Sequence, residues 1–324
     1  MNRGTVPPRF VAARWLTHPH LQTLYGAILA PAPRIAFTHK RWETPDGDFV
    51  DVDFTGAPGA TPFVLLFHGL EGSSRSPYAR ALMGEVMGRG WQGAVFHFRG
   101  CSGEPNRLPR AYHSGDSDEI HWAVRRLHAQ AGAQPLYVAG VSLGGNALAK
   151  WLGERGEKAR KLVERAAVVS APVDLMAAGE ALELGFARMY ARHFLVTLKR
   201  TAAIKLERHP GLFDGGGVAR ATTLREFDDV VTAPLHGFRD TDDYWTRASA
   251  KPLLGRIAVP TLLINARDDP FLPEAALPTE REVSSAVKLE FPPRGGHVGF
   301  VSGPFPGNIG WLPRRILHFF EHGE

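Results

Sequence analysis

Three stretches of the sequence carry residue types that could together perform nucleophilic catalysis. The first is “GVSLG”, residues 140–144, which stands between the apolar run “LYVA” and the helical pattern “GNALAKWL”. The second is “RDDPFLP”, residues 267–273, and the third is “PRGGHVGF”, residues 293–300. A serine, an acid and a histidine from these stretches would supply a nucleophile, its base and the group that orients the base.

The glycine-rich stretch shares the spacing of Gly140 and Gly145 with two phosphate-binding turns, the dinucleotide fingerprint and the P-loop. A dinucleotide site needs a glycine at the position of Ser142. A P-loop needs Lys and then Ser or Thr after its last glycine, but Asn146 and Ala147 follow Gly145. The match that remains is G-x-S-x-G, a strained strand-to-helix turn that exposes a serine hydroxyl. We therefore predict that Ser142 is a nucleophile.

The acid and the histidine follow in the chain order expected for such a serine. Asp268 and Asp269 come after the apolar run “PTLLINA”, and His297 comes after the next predicted strand, “KLEFP”. Taken singly, the aspartates could cap a helix and the histidine could lie in a surface loop. The order acid then histidine, with each after a predicted strand, favours a Ser–His–Asp triad.

Two backbone N–H groups are candidates for binding the oxyanion that forms during acyl transfer. One belongs to Leu143, the residue after the predicted nucleophile, and the other to Leu70 in “FHGLEGSS”, after the first buried strand. The alternative for His68-Gly69 is a simple turn.

Other reactive residue types lack a supporting pattern. Cys101 does not lie in a strand-to-helix turn of the kind predicted around Ser142. His18 and His20 resemble a pair of metal ligands, but no further candidate ligands lie nearby in the sequence. His113 could approach the site from a loop, but we assign it no role, and we expect Asp116 or Ser117 to cap the helix that follows. We predict no metal and no organic cofactor.

Length and composition limit the class of protein. The 324 residues suit one domain, 1–324, and the single cysteine excludes an intramolecular disulfide. No apolar run is long enough to span a membrane, and we expect a cytoplasmic protein. The formal charge of +5 comes from scattered basic residues, so we predict no nucleic-acid partner. A transient contact with a membrane surface stays compatible with this charge, and no signal defines an oligomeric state.

Strands alternate with helices along most of the chain, which predicts an α/β fold with a mainly parallel, doubly wound sheet. “HKRWETPDGDFVDVDF” predicts a hairpin before it, and “WLPRRILHFFEHG” predicts a closing helix. The block from about 172 to 255 lacks buried strands, and we interpret it as a helical lid in which “FDDVVTAPLHGF” is irregular. We expect some of its apolar residues to border an acyl pocket, from the set Leu182, Phe186, Met189, Phe194 and Leu198. The alternative for any one of them is that it packs the lid onto the body.

These motifs together resemble the YheT-like branch of the α/β-hydrolases, over nearly the whole chain. The resemblance also includes “HLQTL”, “PDGDFVDVDF”, “FRGCSGEPNR” and “YHSGDSDE”. It implies the α/β-hydrolase fold and a serine carboxylesterase acting on small-molecule or lipid esters. The superfamily register D-x-x-x-P selects Asp269 over Asp268, so the implied triad is Ser142, Asp269 and His297. An acyltransferase with the same triad and a non-catalytic binding protein on this fold are the alternative functions.

Overall fold

One sheet of eight strands organises the molecule. A computed structural model describes residues 9–59 and 61–324, so the first eight residues of the predicted domain 1–324 lie outside the described part. The strands are β1 Thr38–Glu43, β2 Phe49–Thr55, β3 Phe63–Phe67, β4 Gln92–Phe96, β5 Leu136–Val141, β6 Arg165–Val169, β7 Thr261–Ile264 and β8 Val287–Glu290. Their order is β1-β2-β4-β3-β5-β6-β7-β8, and every pair from β4 to β8 is parallel. The predicted mainly parallel sheet is confirmed.

The predicted hairpin forms the antiparallel edge of this sheet. Strands β1 and β2 pair from Thr38 opposite Phe54 to Glu43 opposite Phe49. The turn between them closes with a hydrogen bond of 2.9 Å from the N–H of Thr44 to the carbonyl of Asp48. Strand β2 also pairs antiparallel with β4, so the hairpin is joined to the parallel strands.

Helices cover both faces of the sheet. They are α1 Pro19–Leu24, α2 Pro77–Gly88, α3 Ser117–Ala131, α4 Leu143–Arg155, α5 Glu157–Arg160, α6 Leu175–Leu182, α7 Arg188–Arg208, α8 Gly215–Arg220, α9 Leu224–Phe227, α10 Ala233–Leu235, α11 Thr241–Ala248 and α12 Trp311–His322. A π-helical turn, Tyr25–Leu29, continues α1. Within the described residues, no helix combines the length and the hydropathy needed to cross a membrane.

The central strands β3 and β5 are almost wholly apolar because both of their faces are buried. All residues of β3 and β5 are buried, as strands of a sheet covered on both sides require. Helices α3 and α4 pack in the hydrophobic cluster on one face, and α2 and α12 in the cluster on the other. This doubly wound arrangement brings the carboxyl ends of β3, β5, β7 and β8 to one edge, where ligands of such sheets bind.

The chain between β6 and β7 is helical almost throughout, and one part of our prediction for it is wrong. “FDDVVTAPLHGF” was predicted to be irregular, but it forms the end of α9, a π-helical turn at Asp228–Thr232 and α10. Thr223 and Glu226 form a capping box that starts α9, and the indole N–H of Trp245 donates to Asp228 at 2.9 Å. These contacts outweigh the weak helix propensity of the Val-Val-Thr run.

Candidate active site

Ser142 occupies a sharp turn between β5, which ends at Val141, and α4, which begins at Leu143. Its backbone has φ 54° and ψ −121°, a strained conformation for a residue other than glycine. The glycines around it are required by close packing. A Cβ on Gly140 would lie 2.5 Å from the carbonyl oxygen of Gly144, and one on Gly144 would lie 2.4 Å from the carbonyl oxygen of His68. The G-x-S-x-G spacing thus allows the serine to stand at the sheet edge.

The structure brings Ser142, His297 and Asp269 together. The Oγ of Ser142 lies 2.9 Å from Nε2 of His297, and Nδ1 of His297 lies 3.0 Å and 3.1 Å from the two carboxylate oxygens of Asp269. A carboxylate only accepts hydrogen bonds, so Nδ1 carries the proton and the lone pair of Nε2 faces the serine hydroxyl. This geometry fits a base that removes the proton from Ser142.

The Asp269 carboxylate and the His297 ring are held from several sides. The Asp269 side chain is fully buried and accepts a hydrogen bond of 2.8 Å from the N–H of Phe271. The ring of Phe271 stacks on the imidazole of His297, with ring centres 3.9 Å apart and planes at 13°. These contacts fix the imidazole between the carboxylate and Ser142.

Asp268 has a different position from Asp269. Its Oδ1 accepts a hydrogen bond of 2.9 Å from the N–H of Gly296, next to His297 in the chain. Burial raises the pKa of the Asp268 carboxyl, and the neighbouring Asp269 charge adds to that shift. Asp268 therefore holds the backbone of the histidine loop, and Asp269 is the carboxylate that contacts the imidazole.

Helix α1 contributes two residues to the site that our sequence analysis did not assign. The hydroxyl of Thr23 accepts a hydrogen bond of 2.9 Å from the N–H of His297 and donates one of 2.9 Å to the carbonyl of Pro19. The Gln22 amide pairs with the backbone of Val301, accepting from its N–H at 2.8 Å and donating to its carbonyl at 3.1 Å. Both polar residues are the buried ones of this short helix, and the “HLQTL” pattern was the only signal for their role.

The turn after β3 lies against the nucleophile. A Cβ on Gly69 would come within 3.0 Å of the Cβ of Ser142. The N–H of Gly69 donates to the Tyr78 hydroxyl at 2.9 Å. Within the described residues, by contrast, neither the N–H of Leu70 nor that of Leu143 has an acceptor in the protein. The two N–H groups predicted for the oxyanion are thus free to bind one.

His68 stabilises this turn and takes no part in the Ser142–His297 pair. Its Nε2 accepts from the N–H of Phe98 at 3.1 Å, so Nδ1 carries the proton and donates to the carbonyl of Gly69 at 2.7 Å. Burial lowers the pKa of His68 to about 3, which keeps the ring neutral. The His68 side chain therefore has the structural role of the simple turn that the sequence allowed as an alternative. The N–H of Leu70 in the same turn stays free.

Ser142 opens onto a cavity of about 1170 Å³, counted with its open mouth. Its wall is largely apolar, and helices α6 and α7 supply much of it: Leu175, Ala178, Leu182, Phe194, Leu198 and Ala202. Of the five residues from which we expected some to border a pocket, Leu182, Phe194 and Leu198 line the cavity, whereas Phe186 and Met189 are half exposed and do not. For Met189 this follows from helix geometry, because residues 194, 198 and 202 share one face of α7 whereas 189 lies on another.

Charged side chains also line the cavity, among them Lys205 and Asp228. The amine of Lys205 donates to Asn106 Oδ1 at 2.8 Å and to the carbonyls of Leu108 and Arg110 at 3.1 and 3.0 Å. Three acceptors use all three N–H groups of the cation. Burial lowers the pKa of Lys205 to about 8 and raises that of the buried Asp228 to about 6. Lys205 thus joins α7 to the loop after β4.

The remaining sequence candidates lie apart from the Ser142–His297 pair. Burial raises the pKa of the Cys101 thiol, which disfavours a thiolate. His20 contacts the hydroxyl of Tyr190, and within the described residues no group of three or more His, Cys, Asp or Glu side chains could hold a metal ion. His113 borders the cavity, where burial lowers its pKa to about 3, and Asp116 caps α3 as one of the two predicted caps.

Comparison with known proteins identifies the family of this fold and site. A family model described as alpha/beta hydrolase fold matches residues 62–304. The chain belongs to the α/β-hydrolase family. This α/β-hydrolase is 41% identical over 320 residues to “Putative esterase YheT” of Escherichia coli K12, covering 97% of the chain and 94% of the relative. It is 30% identical over 325 residues to phospholipase ABHD3 of Mus musculus, covering 96% and 78%.

Solved structures share the fold of this α/β-hydrolase. The esterase Pf2001 of Pyrococcus furiosus superposes with a TM-score of 0.57 at 16% identity, covering 97% of this chain and 96% of that one. Est1E of Butyrivibrio proteoclasticus, solved with ferulic acid, also gives 0.57, at 13% identity and with 87% and 98% covered. At these identities the likeness concerns the fold.

Proposed function

We propose that this protein cleaves carboxylic esters of lipids by two-step acyl transfer through Ser142, His297 and Asp269. Its relatives carry the names esterase, phospholipase and monoacylglycerol lipase, and this similarity identifies the chain as a carboxylic ester hydrolase. The observation that carries the triad proposal is the continuous hydrogen-bonded series from Ser142 Oγ through the His297 ring to the buried Asp269 carboxylate. It supplies the nucleophile, the base and the orienting acid in one line.

In the first step, Nε2 of His297 takes the proton of the Ser142 hydroxyl as Oγ bonds to the ester carbonyl carbon. Asp269 stabilises the imidazolium that results. The tetrahedral intermediate collapses, the bond to the alkoxy oxygen breaks, and His297 returns its proton to the leaving alcohol. In the second step, His297 takes a proton from a water molecule as the water oxygen bonds to the acyl carbon. The bond from that carbon to Ser142 Oγ then breaks, and His297 returns the proton to Oγ, which releases the acid and restores the serine.

The developing oxyanion is bound by the N–H groups of Leu70 and Leu143 in this proposal. Leu143 is the first residue of α4, so the positive end of the helix dipole adds to its hydrogen bond. Fixed donors that need no reorganisation typically contribute a large share of the rate enhancement in acyl transfer. The free state of both N–H groups and the place of Gly69 against Ser142 support this assignment.

The apolar cavity supports a lipid acyl chain as the group that is transferred. Its wall presents Leu182, Phe194 and Leu198 beyond Ser142, and burying each methylene of a chain against such a wall contributes about 0.8 kcal/mol. The helices between β6 and β7 then act as a lid over the acyl chain. This part of the chain corresponds to the block from about 172 to 255 that we interpreted as a lid.

The experiment that tests the proposal is covalent labelling with a fluorophosphonate, followed by identification of the modified peptide. We expect one label, on Ser142, in the wild type and strongly slowed labelling in His297→Ala, because the probe needs an activated serine. Arg125→Gln, an exposed change on α3, serves as the matched control. A label on another residue, or equal labelling of His297→Ala, would contradict the triad.

A further inference from the structure

Exposed apolar side chains are concentrated in three segments of the chain. Of the eleven large apolar side chains that are exposed in the described residues, five lie in 9–34, four in 184–200 and one, Phe305, in 294–305. Ile28, Val196 and Phe305 are each at least 70% exposed. Only Met87 lies elsewhere. We call the surface of these three segments the docking face.

Segment 9–34 touches each of the other two segments. The ring centres of Trp15 and Phe305 lie 5.3 Å apart, and the indole N–H of Trp15 donates to the carbonyl of Gly303 at 3.1 Å. On the other side, the ring of His20 lies 4.6 Å from that of Phe186, at the start of the lid. The segment 9–34 therefore joins the other two, and their apolar side chains belong to one surface region.

The docking face is also cationic. Its three segments contain eight Lys or Arg residues and no Asp or Glu, so the rest of the chain carries a formal charge of −3 out of the total of +5. Seven of these residues are arginines that are exposed and, within the described residues, form no ion pair with a carboxylate. Apolar side chains beside unpaired cations are the combination that binds the interface of an anionic membrane.

We propose that the docking face binds the surface of a bilayer that contains anionic lipids. The apolar side chains would enter the boundary between headgroups and acyl chains, and the arginines would pair with lipid phosphates. A symmetric dimer through this face is disfavoured, because the seven unpaired arginines of one copy would lie opposite the same seven of the other. Charge complementarity therefore selects the lipid surface as the occupant.

The docking face adjoins the candidate active site. Phe186 packs near Tyr190, whose ring lies 4.9 Å from that of Phe271. Phe271 in turn stacks on His297 and lines the cavity. A lipid extracted at this face would thus enter the cavity beside His297. This entry step rests on the proposed function, whereas the binding of the docking face to a membrane surface does not.

The test measures binding of the protein to lipid vesicles by flotation. Ser142→Ala protein is used so that no lipid is hydrolysed, with vesicles of phosphatidylcholine alone or mixed with phosphatidylglycerol. We expect binding to the mixed vesicles that weakens as salt is added. Arg188→Gln with Arg192→Gln should reduce that binding by roughly 25-fold, because each cation removed at the surface costs about fivefold. Phe186→Ser with Met189→Ser should reduce it as well.

Matched changes outside the docking face serve as controls. Arg125→Gln with Arg281→Gln removes two exposed arginines, and Met87→Ser removes the remaining exposed apolar side chain; these variants should bind vesicles as before. Equal vesicle binding by all variants, or no binding by the parent protein, would overturn the docking proposal. So would a dimer, seen by light scattering, that only the docking-face variants abolish. The same variants are also made with Ser142 intact, and their hydrolysis of a water-soluble ester is measured separately. A lack of hydrolysis would count against the proposed function alone.

Discussion

The hydroxyl of Thr23 accepts a hydrogen bond from the backbone N–H of His297, a residue 274 positions further along the chain. The bond joins helix α1 to the loop that carries the imidazole, and both groups are partly or fully buried. Its consequence is that the N-terminal part of the chain helps to set the position of a residue in the proposed triad. Thr23 is a positioning residue, since it reaches the reacting atoms only through His297.

Replacing Thr23 tests this positioning role. Thr23→Val should lower kcat by about tenfold or more with little change in KM, because a small misplacement of a catalytic group can cost up to about 100-fold. It also leaves the N–H of His297 without its acceptor, a cost to folding of about 1–3 kcal/mol. Thr23→Ser keeps the hydroxyl and should restore kcat. Equal kcat for the Val and Ser variants in ester hydrolysis would show that the bond has no catalytic consequence.

The two neighbouring aspartates should respond differently to the same change. Asp269→Asn should lower kcat by about 10⁴-fold, as the loss of a triad carboxylate does, because the amide favours the wrong imidazole tautomer. Asp268→Asn keeps an oxygen that can accept from Gly296 and should change kcat much less. Steady-state hydrolysis of one p-nitrophenyl ester by both variants makes the comparison. A larger loss in Asp268→Asn would exchange the roles that the structure assigns to them.

Cavity-lining residues of α7 should control the preferred acyl length. Phe194→Ala and Leu198→Ala enlarge the cavity and should shift preference toward longer chains, by about fourfold in kcat/KM for each methylene that becomes buried. Met189→Ala, on the exposed side of the same helix, is the control and should leave the profile unchanged. The measurement is kcat/KM for p-nitrophenyl esters of increasing chain length. An unchanged profile in both cavity variants would argue against an acyl pocket in this place.

Asp228 should make the stability depend on pH. Burial raises its pKa from 3.8 to about 6, so between these values the folded protein holds a proton that the unfolded chain has lost. The contribution of Asp228 to the free energy of unfolding is therefore present at low pH and is lost as the pH rises through about 6. Relative to Asp228→Asn, the wild type should lose about 2 kcal/mol of unfolding free energy between pH 4 and pH 7. Urea unfolding of both proteins at the two pH values measures this change. If the difference in unfolding free energy between wild type and Asp228→Asn is the same at both pH values, the raised pKa is contradicted.

The sequence predicted the sheet correctly, and it singled out three residues that lie within hydrogen-bond distance of one another in the structure, because both depend on local signals. Apolar runs such as “FVLLF” and “LYVAGV” mark strands buried on both faces, and the elbow needs its glycines at fixed positions around Ser142. The acid and the histidine could be found because each follows a strand in a fixed order. The hydrogen-bonded geometry that the structure shows for them is consistent with their proposed roles.

Other features depend on contacts that no local pattern encodes. The bond between Thr23 and His297 spans most of the chain, and nothing in “HLQTL” indicates which loop it meets. The direction of the α7 side chains is a second case: Met189 and Phe194 are both large and apolar, and only packing decides that Phe194 faces the cavity. The helical form of “FDDVVTAPLHGF” likewise depends on Trp245, which donates to Asp228 from a later helix.

The most direct test of the central claim is the rate of ester hydrolysis by Ser142→Ala, compared with the wild type on the same p-nitrophenyl ester. Circular dichroism and thermal unfolding first establish that the variant is folded, as the removal of one hydroxyl predicts. If Ser142 is the nucleophile, its loss should lower kcat by about 10⁶-fold and leave only background hydrolysis. Turnover above a few per cent of the wild type in folded Ser142→Ala protein would contradict the assignment of Ser142 as the nucleophile.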